Sequence, residues 1–332
     1  MISLGIIGPG LIWQHAHRGA LAERSDRFRV SAVAGRSESS RERATAAYPD
    51  ARVYADAQEL IDDEALDAVV ILTPISLNAP LARAALEAGR HAIVEKPVAR
   101  SVAEARELQQ IAARTGRRLY ILEQQVHEPL ISTLRSLIDE GRIGTPVSFE
   151  RTQHIRIAEE QDQTGGFGST AWRVHPDFPL GNFFDGGIHT VAVLQQLFGP
   201  ARAVYARGRS LRETFGDYDL LSMVAEYPAE VHGTITHSTS LGRQGDSFVI
   251  HGTRAALVVT DEEIRRVDGL SAEVESTAVT GPNETGAMWD EVAQVITTGS
   301  EPRYPLPAAL SDLGFMEAVS ASLAQDRRVV IG

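Results

Sequence analysis

Between residue 3 and about residue 123, short apolar runs alternate with amphipathic stretches. The runs "SLGIIG", "FRVSAVAG", "LDAVVILTP", "RHAIVEKP" and "RRLYILEQ" read as strands. Between them, "PLARAALEAG" and "SVAEARELQQIAARTG" carry Leu and Ala at helical spacing and end on Gly89 and Gly116, the residue type that stops a helix most readily. Strands alternating with helices predict an α/β fold, a doubly wound parallel sheet covered on both faces.

After one more helix, "EPLISTLRSLIDEGRIG", the rhythm changes. "PVSFERTQHIRI", "ARAVYARGRS", "DLLSMVAEYP", "EVHGTITHSTS", "SFVIHG" and "AALVVT" follow one another with few helices between, which predicts a mainly antiparallel sheet. "FFDGGIHTVAVLQQLFG" and "PAALSDLGFMEAVSASLAQD" are helical in pattern, making the second half an α+β domain. The change of rhythm sets the expected boundary, with one domain over residues 1–123 and another over 124–332.

The chain's 332 residues suffice for two domains with their own cores, and 43% hydrophobic with 23% charged residues is a globular balance. No apolar run approaches a membrane span, and "MISLGIIG" enters a strand with no export signal, so a cytoplasmic location is expected. The absence of cysteine excludes disulfides and thiolate chemistry, and no spacing gathers the ten histidines into a metal site. A formal charge of -12 argues against nucleic acid as a partner, while leaving room for one small phosphate ligand.

That ligand has a place in "LGIIGPGLIWQHAHRGAL". A strand, a glycine turn and a helix start present unpaired N–H groups to a diphosphate. Gly8 permits the tight turn and Gly10 the close approach, and Leu11, Ile12 and Trp13 follow at the helix start. Trp13 stands where a third glycine would normally pack helix on strand, so its indole is expected to line the cofactor cleft instead, the alternative being a helix displaced around a buried indole. The second strand ends in "VAGRSESS", without the acid that usually binds ribose hydroxyls. Arg36 and Ser37 there suit a 2'-phosphate, placing NADP ahead of NAD, although an ordinary solvated loop remains the alternative.

Thr73-Pro74, the run Ala88-Gly89-Arg90-His91 leading to Glu95-Lys96-Pro97, and Asp185-x-Gly187-x-His189 together resemble the glucose-fructose oxidoreductase and inositol 2-dehydrogenase (Gfo/Idh/MocA) family along nearly the whole chain. The resemblance implies a Rossmann domain, an open-faced sheet in the second domain, homodimers or homotetramers formed through that sheet, and sugar or polyol substrates. It implies Lys96, Asp185 and His189 as catalytic residues. It places Thr73, Pro74, Asn78, Glu95 and Lys96 near the cofactor, and Lys96, Glu123, Trp172, Arg173, Asp185 and His189 near the substrate.

The chemistry requires such groups, because moving a hydride from an alcohol carbon to nicotinamide also requires the hydroxyl proton to leave. Asp185 and His189 are four apart in a helical pattern, so a carboxylate can support a protonated imidazole, or Asp185 can simply cap the helix. Lys96 at a strand end can polarise the reacting oxygen, and Gly186 and Gly187 leave room for the nicotinamide. Ile75 and Asn78 depart from the family's wording after Thr-Pro, and Ala192 replaces an acid that helps to bind polyols in many relatives. Two other readings therefore stay open, a glycoside-cleaving enzyme that uses NAD transiently and a nucleotide-binding regulator.

Overall fold

The computed structural model describes residues 1–155, 157, 166, 168, 170–242, 245–260 and 263–332. Six strands, β1 (Ile2–Ile7), β2 (Phe28–Ala34), β3 (Arg52–Tyr54), β4 (Ala68–Ile71), β5 (His91–Glu95) and β6 (Leu119–Leu122), form a sheet in the order β3-β2-β1-β4-β5-β6. Every pairing in it is parallel. The residues of β4 are all buried, as a central strand covered on both faces requires. The strand order reverses between β1 and β4, and the carboxyl ends of a parallel sheet at such a point are where ligands bind. Gly8, Arg36, Thr73, Lys96 and Glu123 all lie just beyond those ends.

The chain forms two compact units, but a single cut does not separate them. One contains residues 1–127 and 283–310, and the other 128–282 and 311–332. The expected boundary near residue 123 is therefore only the first of three crossings. The helix Glu284–Thr298, capped by Asn283, buries Met288, Trp289, Val292 and Val295 in one core with Ile2, Leu4, Phe28 and Tyr120. Arg24 grips this helix through two bonds to Asp290, 2.8 and 3.0 Å long. No strand pattern announces it, and its apolar stripe does not reveal which sheet it serves.

The second unit contains β7 (Pro146–His154), β8 (Ala203–Arg209), β9 (Leu220–Glu226), β10 (His232–Ser238), β11 (Ser247–Gly252), β12 (Ala255–Val259), β13 (Glu263–Asp268), β14 (Val274–Ala278) and β15 (Val329–Val330). Among the described residues they form one sheet, β14-β13-β12-β11-β7-β10-β9-β8-β15, antiparallel except where β10 meets β7. Arg156, within the expected first strand, lies outside the described residues. Alternation fixes the faces: Leu221, Met223 and Ala225 point inward, while Ser222 and Val224 point out. On the inner face Phe149 stacks on Phe198 of the helix Ile188–Phe198, and Ser322 of the final helix accepts from the Ala206 amide at 2.9 Å. β13 and β14 escaped the pattern because their residues are largely polar and half-exposed or exposed.

Candidate active site

The glycine turn is built as its sequence requires. Gly8 has φ +80°, and a Cβ there would meet the Leu72 carbonyl oxygen at 2.8 Å. Only glycine fits such a position without strain. At Gly10 a Cβ would find nothing nearer than the Gly8 carbonyl at 3.9 Å, so the protein leaves open the ground above this backbone. Leu11 and Ile12 follow, both half-buried.

Trp13 is not at the cleft. It is 0% exposed and belongs to the core that includes Ala20, Leu21, Phe28, Val33 and Ala44. Its N–H donates to the Tyr48 hydroxyl at 3.4 Å, and the Arg18 guanidinium lies 5.8 Å from its ring centroid. The expected cofactor contact is thus corrected to a packing role. The reason is local geometry: Trp13–His17 form a π-helical turn, wider than an α turn, and the indole lies against the Tyr48 ring with centroids 5.9 Å apart.

Beyond β2, Arg36 is exposed, and its guanidinium has no partner among the described residues. Ser37 is exposed too, with its hydroxyl accepting from the Ser40 amide at 3.2 Å as the cap of the helix Glu38–Ala47. Arg41 donates to the carbonyls of Gly35 and Arg36, which brings a second guanidinium to this strand end.

Around Lys96 the polar side chains hold the backbone. Asn78 is fully buried, donating to the carbonyls of Glu95 (3.1 Å) and Pro97 (2.8 Å) and accepting from the Thr73 hydroxyl at 3.0 Å. Its expected cofactor contact is therefore corrected, since its amide is used in clamping the lysine's loop. The helix starts at Ile75, before Pro80, and so turns Asn78 inward. Pro74 precedes it as the cap residue. The Glu95 carboxylate is likewise engaged by the protein, with Oε1 2.8 Å from His17 Nε2 and Oε2 accepting from the Lys96 amide at 3.1 Å. Lys96 is half-buried and precedes a cis proline. Glu123 is fully buried, its Oε1 accepting from the Gln125 amide at 3.1 Å.

The composition adds a signal of its own. Of 32 basic side chains, Lys96 is the only lysine. Arginine stays protonated under all ordinary conditions, whereas an ammonium can exchange a proton. His17 and Trp289 were missed altogether, because nothing in the sequence links them to Glu95.

In the second unit, Asp185 lies in a π-helical turn over Phe183–Gly187, and His189 stands in the α-helix that continues it. Asp185 is 6% exposed and accepts from Arg173 Nε at 2.7 Å, while the same guanidinium lies 4.0 Å from the Trp172 ring centroid. Three expected residues thus form one cluster, and Arg173 is an observed partner of the carboxylate. His189 is half-exposed. The space beside Gly187 is filled by the Phe183 ring, which corrects its expected role of admitting nicotinamide to one of internal packing. Nearby, buried His237 lies 3.2 Å from Gln153 Oε1 and 3.3 Å from Asn182 Oδ1. Burial, with Arg151 and His154 close by, pushes its pKa down to about 4.

Comparison with known proteins follows the same division. The profile described as "Oxidoreductase family, NAD-binding Rossmann fold" matches residues 2–123, and that described as "GFO/IDH/MocA C-terminal domain" matches residues 131–258. The scyllo-inositol 2-dehydrogenase (NADP(+)) of Bacillus subtilis is 24% identical over 77% of this chain and 68% of its own. That organism's scyllo-inositol 2-dehydrogenase (NAD(+)) is 27% identical over 63% of this chain and 57% of its own. A solved oxidoreductase from Thermotoga maritima is similar with a TM-score of 0.90 at 27% identity, covering 99% of this chain and 98% of its own.

Proposed function

The chain belongs to the Gfo/Idh/MocA family of NAD(P)-dependent oxidoreductases acting on CH–OH groups, and from that premise we propose that it interconverts a sugar or polyol hydroxyl and its carbonyl, with NADP(H) preferred to NAD(H). The observation that carries the reading is Lys96, the only lysine, at the carboxyl end of a central parallel strand with its amide held by a buried carboxylate. The residues fit a dinucleotide: the backbone at Gly10 is bare, and Arg36 offers a guanidinium to a 2'-phosphate.

A bound nicotinamide supplies the acceptor or donor of hydride. Lys96 polarises the substrate oxygen, and His189 takes or delivers the hydroxyl proton. Asp185, paired with Arg173, carries the negative charge on the helical segment that presents His189. On the outer face of the second sheet Ser222, Val224 and Thr234 are exposed beside Glu150 and Arg207, and this mixed face is the one a second copy of the chain would cover.

Absorbance of the reduced nicotinamide, followed across a panel of sugars and polyols with each cofactor, tests the reaction, and no turnover with any of them counts against it. Titration of NADPH and NADH tests the preference. Arg36→Ala is expected to weaken NADPH about tenfold or more, because a charge-assisted phosphate contact contributes ~1.5–3 kcal/mol, and to leave NADH unchanged. Equal loss for both cofactors would remove Arg36 from phosphate recognition.

A further inference from the structure

The amide of Lys96 is the end point of a hydrogen-bonded chain that begins on the returning helix Glu284–Thr298. The Trp289 indole N–H donates to His17 Nδ1 at 3.2 Å. An indole can only donate, so Nδ1 carries the lone pair and the ring proton sits on Nε2. That nitrogen, 2.8 Å from Glu95 Oε1, is therefore the donor to the carboxylate. The second carboxylate oxygen accepts from the Lys96 amide at 3.1 Å. Trp289, His17 and Glu95 are 0%, 2% and 7% exposed. Packing fixes the imidazole as well, since the indole meets it edge-on at 5.8 Å and 83°.

A buried carboxylate is retained against its desolvation penalty only where its oxygens are satisfied, and apolar side chains of similar volume would fill this core at less cost. Here one oxygen is spent on the lysine's own backbone. We propose that His17, in the tautomer selected by Trp289, is a positioning residue for Lys96, fixing the Glu95 carboxylate and through it the direction in which the lysine leaves the sheet edge. Asn78, on the carbonyls of Glu95 and Pro97, holds the same segment from the other side. The inference rests on reading Lys96 as the group that meets the reacting oxygen.

Because the chain has one lysine, protein grown on 13C-labelled lysine shows a single lysine Cε resonance, readable in full-length protein with and without NADPH and independent of any substrate. His17→Leu keeps the bulk and removes the donor, His17→Gln keeps a donor, and Trp289→Phe keeps a ring and removes the N–H. Displacement or broadening of the resonance is expected in His17→Leu and Trp289→Phe, with recovery in His17→Gln and NADPH affinity unchanged throughout. A wild-type resonance in folded His17→Leu or Trp289→Phe overturns the proposal, and if His17→Leu fails to fold, Trp289→Phe decides alone. Lys96→Ala is assayed separately: wild-type turnover there sinks the parent reading, whatever the resonance does.

Discussion

Trp13 and Trp289 are the largest fully buried side chains among the described residues. Gly8 and Gly10 are legible as a turn because a positive φ and a bare backbone admit few residues, whereas among the motifs Lys96 stands out only through the family's Glu-Lys-Pro wording. Trp13, Asn78 and Glu95 lie in the expected places but turn the other way, since side-chain direction depends on helix phase and burial rather than on identity. Trp13 sits 0% exposed among alanines, leucine and phenylalanine, so its removal should leave a large cavity. Trp13→Ala is expected to lose about 3–5 kcal/mol in denaturant unfolding. Cofactor affinity should hold wherever the variant remains folded. A small stability change with a large loss of NADPH binding would return the indole to the cleft.

At the level of elements, periodicity marks five of the six strands of the first sheet, missing the short β3, and marks the helical segment over Phe183–Phe198, but it does not give the phase of the two site-bearing segments. Both open with π-helical turns, Trp13–His17 and Phe183–Gly187, whose extra residue shifts the phase that a 3.6-residue reading assumes. The helix at Ile75–Glu87 begins five residues before Pro80, where the pattern "PLARAALEAG" sets in, and it carries that proline within its first turns. β10 carries a further consequence in His237, whose pKa falls from the ordinary value of 6.5 to about 4 on burial. The unfolded chain binds a proton between those values and the folded one does not. Stability is therefore complete above about pH 6.5 and declines as pH falls to about 4, by on the order of 3 kcal/mol for this group. His127, lowered chiefly by burial, acts in the same direction. Urea unfolding of the wild type and His237→Gln across this range isolates the contribution: the variant should show the shallower decline, and identical slopes would refute the assignment.

On the scale of the whole molecule, fold class and family resemblance were legible, while the path of the chain was not. Residues 283–310 return to complete the first unit, and Trp289 fills its core beside Phe28. Residues 1–127 alone should therefore fail to give a cooperative thermal transition or to bind NADPH, whereas 1–127 joined by a flexible linker to 283–310 should do both. Full NADPH binding by the shorter fragment would show the returning helix to be dispensable. The same chain path sets an order in time. During synthesis the nucleotide half emerges first, yet it waits for residues 128–282 to be made before its missing helix leaves the ribosome. At about 5–20 residues per second that interval is roughly 8 to 30 s. For those seconds the sheet that will hold the cofactor is an open apolar surface, and nascent-chain chaperones are the natural company for it.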